Sequence, residues 1–220
     1  MEQTKAYFRQ FYLYIANWYH GKFKAPKRYH HLFDEVVKNK AATILEVGTW
    51  NGVRALQMIE TAQKNTSETI NYIGFDLFED LTNEIFLREL SKKPPSQNDV
   101  EQKLLKTGAN ITLIKGNTLE TLPEYIKNAP KVDFIFIDGG HDVATIQSDW
   151  DCVNKLMHDE TVVIFDDYWR NRKTESAGPT VDTIDTDIYN VEILPEIDKF
   201  DNSDFGRLEI SFARVKKLIT

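Results

Sequence analysis

Two largely apolar segments of this chain end in acids that could act together. Val132–Ile137 runs directly into Asp138, and Val162–Phe165 runs directly into Asp166 and Asp167. Short runs rich in β-branched and aromatic residues are typical of strands that are buried on both faces of a parallel sheet. If the two strands are parallel neighbours, the three carboxylates meet at the carboxyl end of the sheet, where open α/β sheets bind ligands.

Carboxylates gathered in this way need a compensating group. Two ionised carboxylates about 4 Å apart repel each other by roughly 4 kcal/mol at an effective dielectric constant near 20. A divalent cation, a shared proton or N–H donors could each offset this repulsion. Because all-oxygen ligands favour Mg²⁺, Mn²⁺ or Ca²⁺ over zinc, the expected metal is a hard cation.

A histidine, His141, stands three residues after Asp138. Histidine ordinarily titrates near neutrality, so it could serve here as a general base. Structural roles stay open for the same residues. Asp138 could cap the helix that follows it, and Asp166 or Asp167 could brace the next loop. His141 could simply hydrogen-bond a backbone carbonyl.

The composition limits the classes of protein to which the chain can belong. Its 220 residues suit one domain with a full core. The net charge of −7 argues against a large nucleic-acid interface, and no apolar stretch reaches the roughly 18 residues that cross a bilayer. The start lacks a cleavable signal sequence, and the lone Cys152 fits a reducing compartment. We therefore expect a cytoplasmic protein without nucleic-acid or membrane partners.

Apolar periodicity predicts a doubly wound α/β sheet of seven strands, preceded by a helical extension. The predicted strands cover residues 43–47, 70–75, 111–114, 132–137, 162–165, 189–194 and 208–214, and the predicted helices cover 32–38, 51–63, 82–90, 99–106, 143–157 and a segment from residue 118. A long irregular loop is expected over 171–187. The segment 198–206 is short enough for a hairpin, so the last strand should run antiparallel.

We assign residues 1–40 to the helical extension and 41–220 to the sheet domain. Apolar residues recur in the extension at helical spacing, namely Phe8, Phe11, Tyr12, Ile15, Trp18 and Tyr19. This face should pack on the sheet domain or join two copies in a homodimer, and the alternative is that it caps the substrate. The basic patch His20–His31 follows it, either as a solvated connector or as a contact for an acidic substrate or partner.

The loop after the first predicted strand, Glu46–Gly52, has the spacing of a cofactor-binding turn. Gly48 permits a tight turn and close approach of the backbone to a ligand, and the helix that follows Gly52 offers N–H groups to an anion. Asp76 ends the second strand, where an acid would bind a ribose diol. The third glycine of G-x-G-x-x-G is missing, which disfavours a nicotinamide dinucleotide. The spacing fits the acid-x-Gly-x-x-x-Gly loop of S-adenosylmethionine (SAM) enzymes.

Four segments together resemble the class I SAM-dependent methyltransferases, over about residues 41–194 and the final strand. They are Ile44–Gly52, Tyr72–Asp76, Phe136–His141 and Val163–Asp167. Within that class the chain looks like the metal-dependent small-molecule O-methyltransferases. The nearest likeness is to macrocin and mycinamicin sugar O-methyltransferases and cephalosporin-hydroxylase-like sequences, and catechol O-methyltransferase is more distant. The resemblance implies a Rossmann-like methyltransferase sheet, SAM with Mg²⁺ or another divalent cation, and a small hydroxylated acceptor such as a sugar or glycan unit.

The resemblance also implies roles for individual residues. The first loop would hold the methionine part of SAM, Asp76 the ribose, and the residues after the third strand the adenine. The implied cofactor-binding residues are Glu46, Gly48, Thr49, Trp50, Asn51, Gly52, Asp76, Asn117, Thr118 and Asp138. The implied metal ligands are Asp138, Asp166 and Asp167. His141 stands where catechol O-methyltransferase has its catalytic lysine, so Asp138 and His141 are the implied catalytic residues.

Other functions remain open from the sequence. Amino-methylating DNA enzymes place Asn/Asp-Pro-Pro-aromatic after the fourth strand, whereas this chain has Asp138-Gly-Gly-His141 there, and its net negative charge also disfavours nucleic acid. A non-catalytic SAM-binding or scaffold protein, and a metal-independent methyltransferase of the same fold, are the remaining alternatives.

Overall fold

The structure, a computed structural model, describes residues 27–89, 93–202 and 206–219. Its strands are β1 (Thr43–Val47), β2 (Asn71–Asp76), β3 (Asn110–Lys115), β4 (Val132–Ile137), β5 (Met157–Trp169), β6 (Tyr189–Ile193), β7 (Asp198–Asn202) and β8 (Gly206–Lys217). Its α-helices are α1 (Tyr29–Lys38), α2 (Val53–Gln63), α3 (Asn83–Glu89), α4 (Gln97–Leu105), α5 (Thr118–Tyr125), α6 (Val143–Val153) and α7 (Gly178–Asp182). Short 3₁₀ turns cover Phe78–Asp80 and Asn154–Leu156.

The strands form one mixed sheet in the order β3-β2-β1-β4-β5-β8-β6, with β7 paired to β8. The first five strands are parallel, and β8 runs antiparallel to both β5 and β6. The doubly wound α/β fold and the antiparallel last strand are therefore confirmed. Val47 of β1, Ile137 of β4 and Phe165 of β5 are in register, so the residues that follow them meet at one edge of the sheet.

Each face of the sheet has its own apolar core, because successive strand residues point to opposite faces. Ile44, Phe134 and Ile164 pack with α1, α2 and α4 on one face. Leu45 and Val163 pack with α5, α6 and α7 on the other. Helices on both faces explain why the central strands read as continuous apolar runs.

Strand β5 is much longer than the sequence predicted. It begins at Met157, which we expected in the preceding helix, and continues past Phe165 to Trp169. Its pairing with β8 contains a bulge, because three steps along β5 from Phe165 to Tyr168 match two steps along β8 from Ala213 to Ser211. The two acids that follow Phe165 therefore lie inside the strand and not beyond its end.

Two further elements differ from the prediction. The segment expected to be a simple connection contains β7, so the described sheet has eight strands where seven were predicted. Its sequence, Asp198–Asn202, is polar enough to hide the strand, and pairing with Leu208 and Ile210 of β8 holds it in place. The predicted irregular loop over 171–187 contains the short helix α7.

Helix α1 begins earlier than predicted and closes one face of the sheet. The Tyr29 ring packs edge-on against Phe212, with ring centroids 5.2 Å apart. His31 contacts Glu196, in the connection between β6 and β7. The aromatic face predicted for residues 8–19, and with it the predicted dimer contact, lies outside the described residues. Within the described ranges, none of the helices combines the length and apolar character that a membrane span requires.

Candidate functional site

A cavity of about 470 Å³ opens at the carboxyl edge of the parallel strands. The predicted site residues that line it are Gly48, Trp50, Asp76, Asn117, Thr118, Asp138, His141, Asp166 and Asp167. Their elements are the ends of β1 to β5 and the loops after them. The topology thus delivers to one space residues that are up to 119 positions apart, from 48 to 167.

The floor of the cavity depends on the backbone at Gly48. This residue has φ +93°, and a Cβ built on it would overlap the carbonyl oxygen of Asp138 and lie 2.8 Å from Cα of Gly139. The close approach is fixed by backbone hydrogen bonds, from Gly48 N to Phe75 O at 2.9 Å and from Asp138 N to Val47 O at 2.8 Å. The end of β1 therefore fits between its neighbours only as glycine.

Asp76 lies on the cavity wall and holds the first loop. Its carboxylate accepts the Trp50 amide at 2.6 Å and the Phe78 amide at 2.9 Å, one on each oxygen. Burial raises its pKa, and these amides partly offset that rise. The Leu77 amide contributes as well, so about one of the four acceptor positions of the carboxylate stays open for a ribose hydroxyl.

Other predicted cofactor residues have structural roles. Glu46 is buried and accepts a hydrogen bond from Tyr72, whose hydroxyl also lies 3.2 Å from Oγ1 of Thr49. Burial raises the pKa of Glu46 to about 8 against the lowering effect of the Tyr72 bond. Asn51 and Asn117 each use their side-chain oxygen to accept a backbone N–H near the start of a helix. Direct contact of these residues with SAM stays a prediction.

Gly52 and Trp50 shape the loop. Gly52 caps α2 with φ +69°, and a Cβ there would lie 2.9 Å from a methyl group of Val100. Trp50 has φ +45°, a conformation that usually favours glycine. A tryptophan thus has a glycine-like backbone conformation, and its indole N–H donates to the Lys93 carbonyl at 3.2 Å.

Asp138, Asp166 and Asp167 come together as the sequence predicted. One carboxylate oxygen of each lies within 4.8 Å of the others. The β5 bulge, with Asp167 at φ +54°, turns two successive acids toward one cavity. Burial, followed by the charges of Asp166 and Asp167, raises the pKa of Asp138 well above its usual value.

Asp166 is neutralised by a residue that sequence analysis did not assign to the site. Nε and Nη2 of Arg28 donate to its two oxygens at 2.8 and 3.0 Å. The Tyr29 hydroxyl donates to Oδ2 at 2.8 Å, and the Asp167 amide donates to Oδ1 at 2.6 Å. Burial alone would lower the pKa of Arg28, but Asp166 holds it above the ordinary value. The basic patch thus supplies a contact to an acid of the same chain.

Asp167 is paired with the predicted base. Its Oδ2 lies 2.8 Å from Nε2 of His141, and its Oδ1 accepts a long hydrogen bond from the Trp169 indole at 3.4 Å. Burial would raise the pKa of Asp167, but the bond with His141 and the Arg28 charge lower it below the usual value. An ionised Asp167 can orient the imidazole and stabilise it when it takes a proton.

A metal centre on all three acids does not fit the contacts observed here. Three carboxylates at this spacing are suitable ligands for a hard cation. However, the four donors to Asp166 fill both of its oxygens. A metal could bind Asp166 only if Arg28 moved away. The metal role of the three acids therefore stays a prediction.

Apolar side chains from the C-terminal hairpin line the remaining wall of the cavity. Phe200 of β7 and Leu208 and Ile210 of β8 face it, together with Trp169 of β5. This wall was not predicted from the sequence, because β7 has a polar sequence and no strand was predicted to pair with the first residues of the last strand. The wall places an apolar surface beside the His141–Asp167 pair.

A family model described as "Methyltransferase domain" matches residues 45–168, which is more than half of the chain. The chain belongs to this methyltransferase family. The match begins at β1 and ends within β5, and so spans the elements that form the floor of the cavity. No curated protein matches the methyltransferase in sequence.

Solved structures of methyltransferases share the fold at low sequence identity. An O-methyltransferase from Bacillus cereus in complex with SAH is 18% identical with a TM-score of 0.58, covering 88% of this chain and 82% of that one. The O-methyltransferase TomG from Streptomyces achromogenes, involved in tomaymycin synthesis and in complex with SAM, is 14% identical with a TM-score of 0.55, covering 90% and 86%. An SAH-bound Podospora anserina methyltransferase is 13% identical with a TM-score of 0.54, covering 86% and 77%.

Proposed function

We propose that this methyltransferase transfers a methyl group from SAM to a hydroxyl oxygen of a small molecule. The observation that carries the proposal is the pairing of His141 with Asp167 at 2.8 Å on the wall of the cavity that Gly48 and Asp76 also line. A base and a cofactor-type loop then face the same space. Oxygen is the favoured acceptor atom because a hydroxyl must lose a proton as it is methylated, and the site has a base.

SAM would lie over the end of β1. Asp76 has an acceptor position for a ribose hydroxyl, and Asn117 and Thr118 also line the cavity. The open turn at Gly48 lets the methionine part approach the backbone. This placement directs the methyl group toward the carboxylates and His141.

The reaction balances with residues of this chain. The acceptor oxygen forms a bond to the methyl carbon while the bond from that carbon to the sulfonium breaks, giving a methyl ether and S-adenosylhomocysteine. His141 accepts the hydroxyl proton as the bond forms and later passes it to solvent. The cavity aligns oxygen, methyl and sulfur, and this positioning adds to the rate.

The sequence also predicts Mg²⁺ assistance, which would need Arg28 to leave Asp166. The occupied oxygens of Asp166 favour the alternative, a metal-independent enzyme of the same fold. A sugar or glycan acceptor stays compatible with the site if one face of its ring packs on Trp169 and Ile210.

Calorimetry with SAM tests the cofactor, and transfer of a radiolabelled methyl group to a panel of hydroxylated acceptors tests the reaction. We expect one SAM per chain, weak or undetectable NADH binding, and a methylated product for at least one acceptor. Absence of SAM binding would overturn the proposal. SAM that binds but is never consumed across a broad panel would indicate a binding protein instead.

A further inference from the structure

We propose that Arg28 is the resident cation of this site, with its guanidinium held on Asp166 where a metal centre would need that carboxylate. The inference rests on the proposed function only in taking the cavity as the place of methyl transfer. Cation binding at Asp166 can be measured without any turnover, so the two proposals can fail separately.

The contacts of Asp166 leave no place for a second cation. A carboxylate has about four acceptor positions, two on each oxygen. On Oδ1 they are filled by Nε of Arg28 and the Asp167 amide, and on Oδ2 by Nη2 of Arg28 and the Tyr29 hydroxyl. A two-pronged guanidinium–carboxylate pair is among the strongest charge-assisted arrangements in proteins.

Arg28 is fixed as firmly as the acid that it contacts. Its side chain and that of Asp166 are only 6% and 2% exposed. Its Nη1 donates to Asp198 at 3.1 Å, and Asp198 also accepts the Lys27 and Arg28 amides. The guanidinium lies 4.9 Å from the centre of the Tyr29 ring. Displacement by a metal would break the bonds to both Asp166 and Asp198.

The same contacts make Arg28 a positioning residue for the reaction. Asp166, held by Arg28, accepts the backbone amide of Asp167, and Asp167 in turn holds His141. The chain of contacts from Arg28 to His141 thus sets the bulge that aims the base. We infer that the wild-type enzyme works without a divalent cation, and that loss of Arg28 both misplaces His141 and frees Asp166 for a metal.

Mn²⁺ is a suitable probe because it prefers oxygen ligands and has an electron paramagnetic resonance signal. The full chain is stripped with EDTA and titrated with Mn²⁺, using resonance and calorimetry. We expect no stoichiometric binding by wild type and no loss of methyl transfer with EDTA. Arg28→Gln should bind one Mn²⁺ at least about tenfold more tightly than wild type, and Arg28→Gln combined with Asp166→Asn should lose that site.

Arg54→Gln is the matched control, because Arg54 lies over the Tyr29 ring at 3.8 Å without a hydrogen bond to Asp166 among the described contacts. The Arg54→Gln variant should show no stoichiometric Mn²⁺ binding. A folded Arg28→Gln variant that gains no site would contradict the proposal. If that variant does not fold, the wild type and Asp166→Asn are compared instead. Stoichiometric Mn²⁺ binding by the wild type that disappears in Asp166→Asn overturns the proposal. Absence of stoichiometric Mn²⁺ binding in both proteins supports it. Failure to bind SAM would remove the proposed function without changing the Mn²⁺-binding outcomes.

Discussion

Nε2 of His141 lies 2.8 Å from Oδ2 of Asp167, although the two residues are 26 positions apart in the chain. His141 follows β4, and Asp167 sits in the bulge of β5, the parallel neighbour of β4. Such a pair fixes the ring of the histidine and stabilises its charged form. The relationship makes His141 the residue whose loss should affect the chemical step most directly.

We expect His141→Gln to lower kcat by about 100-fold or more, the usual contribution of a positioned base. The dissociation constant for SAM should stay close to that of wild type, because Gln keeps most of the side-chain volume. Steady-state kinetics and calorimetry measure the two effects. His158→Gln is the control, since His158 pairs with Asp133 away from the cavity. A His141→Gln enzyme as fast as wild type would remove His141 from the reaction.

Asp76→Ala should weaken SAM binding about 10- to 100-fold, since a hydrogen bond to a charged group contributes about 1.5–3 kcal/mol. The reason is the loss of the acceptor for the ribose hydroxyls, together with looser anchoring of Trp50. Asp80→Ala, an exposed acid a few residues further along, should leave binding unchanged. Equal SAM affinity in the two variants would place the ribose elsewhere.

Gly48→Ala should lower the free energy of unfolding by at least about 3 kcal/mol, from left-handed strain plus a backbone clash. The matched variant is Gly108→Ala, where φ is +76° but a Cβ would meet nothing within 4 Å. Strain alone should cost about 1–2 kcal/mol there. Urea denaturation measures both losses, and their difference is the cost of the close approach of residue 48 to Asp138. Similar losses would show that the loop can move aside.

Lowering the pH should lower the free energy of unfolding, in part through protonation of Glu35 of α1. Burial alone would raise its pKa, but ion pairs with Lys216 and Arg214 of β8, at 3.2 and 2.7 Å, lower it below its ordinary value. A lowered folded-state pKa stabilises the fold above the unfolded pKa, and this stabilisation is lost as pH falls through the folded pKa.

Glu35→Gln should therefore lower the free energy of unfolding by about 1–2 kcal/mol at pH 7, with a smaller loss below pH 4. Urea denaturation across this pH range gives the comparison. Glu192→Gln removes the more exposed partner of the same Arg214 and should cost less than about 1 kcal/mol. A loss for Glu35→Gln that does not change with pH would argue against the ion pairs as its source.

The pattern of apolar runs in the sequence predicts much of the fold and about half of the candidate site. The apolar runs before Asp76, Asp138 and Asp166 place these acids at strand ends, and parallel pairing then brings them to one edge. This inference needs only local information, because burial on both faces leaves a clear signature in the sequence.

The remainder depends on contacts between distant segments. Arg28 and Asp166 are 138 residues apart, and nothing in the basic patch distinguishes Arg28 from the lysines beside it. The sequence indicates that the three acids need a compensating group, but it does not show which residue supplies it. Strand β7 has no periodic apolar pattern, and its extended conformation depends on antiparallel pairing with β8. Likewise, the acids in β5 interrupt an apolar run, and this ends the predicted strand too early.

The bulge in β5 has a consequence for how this protein tolerates change in length. Side chains along an ordinary strand alternate, so neighbouring acids would face opposite layers. The extra residue between Phe165 and Tyr168 returns both aromatic rings to the same layer and leaves the two acids together between them. A deletion of a single amino acid here would invert every later position of the strand, moving Trp169 from the cavity wall to the layer that holds Phe165 and Tyr168.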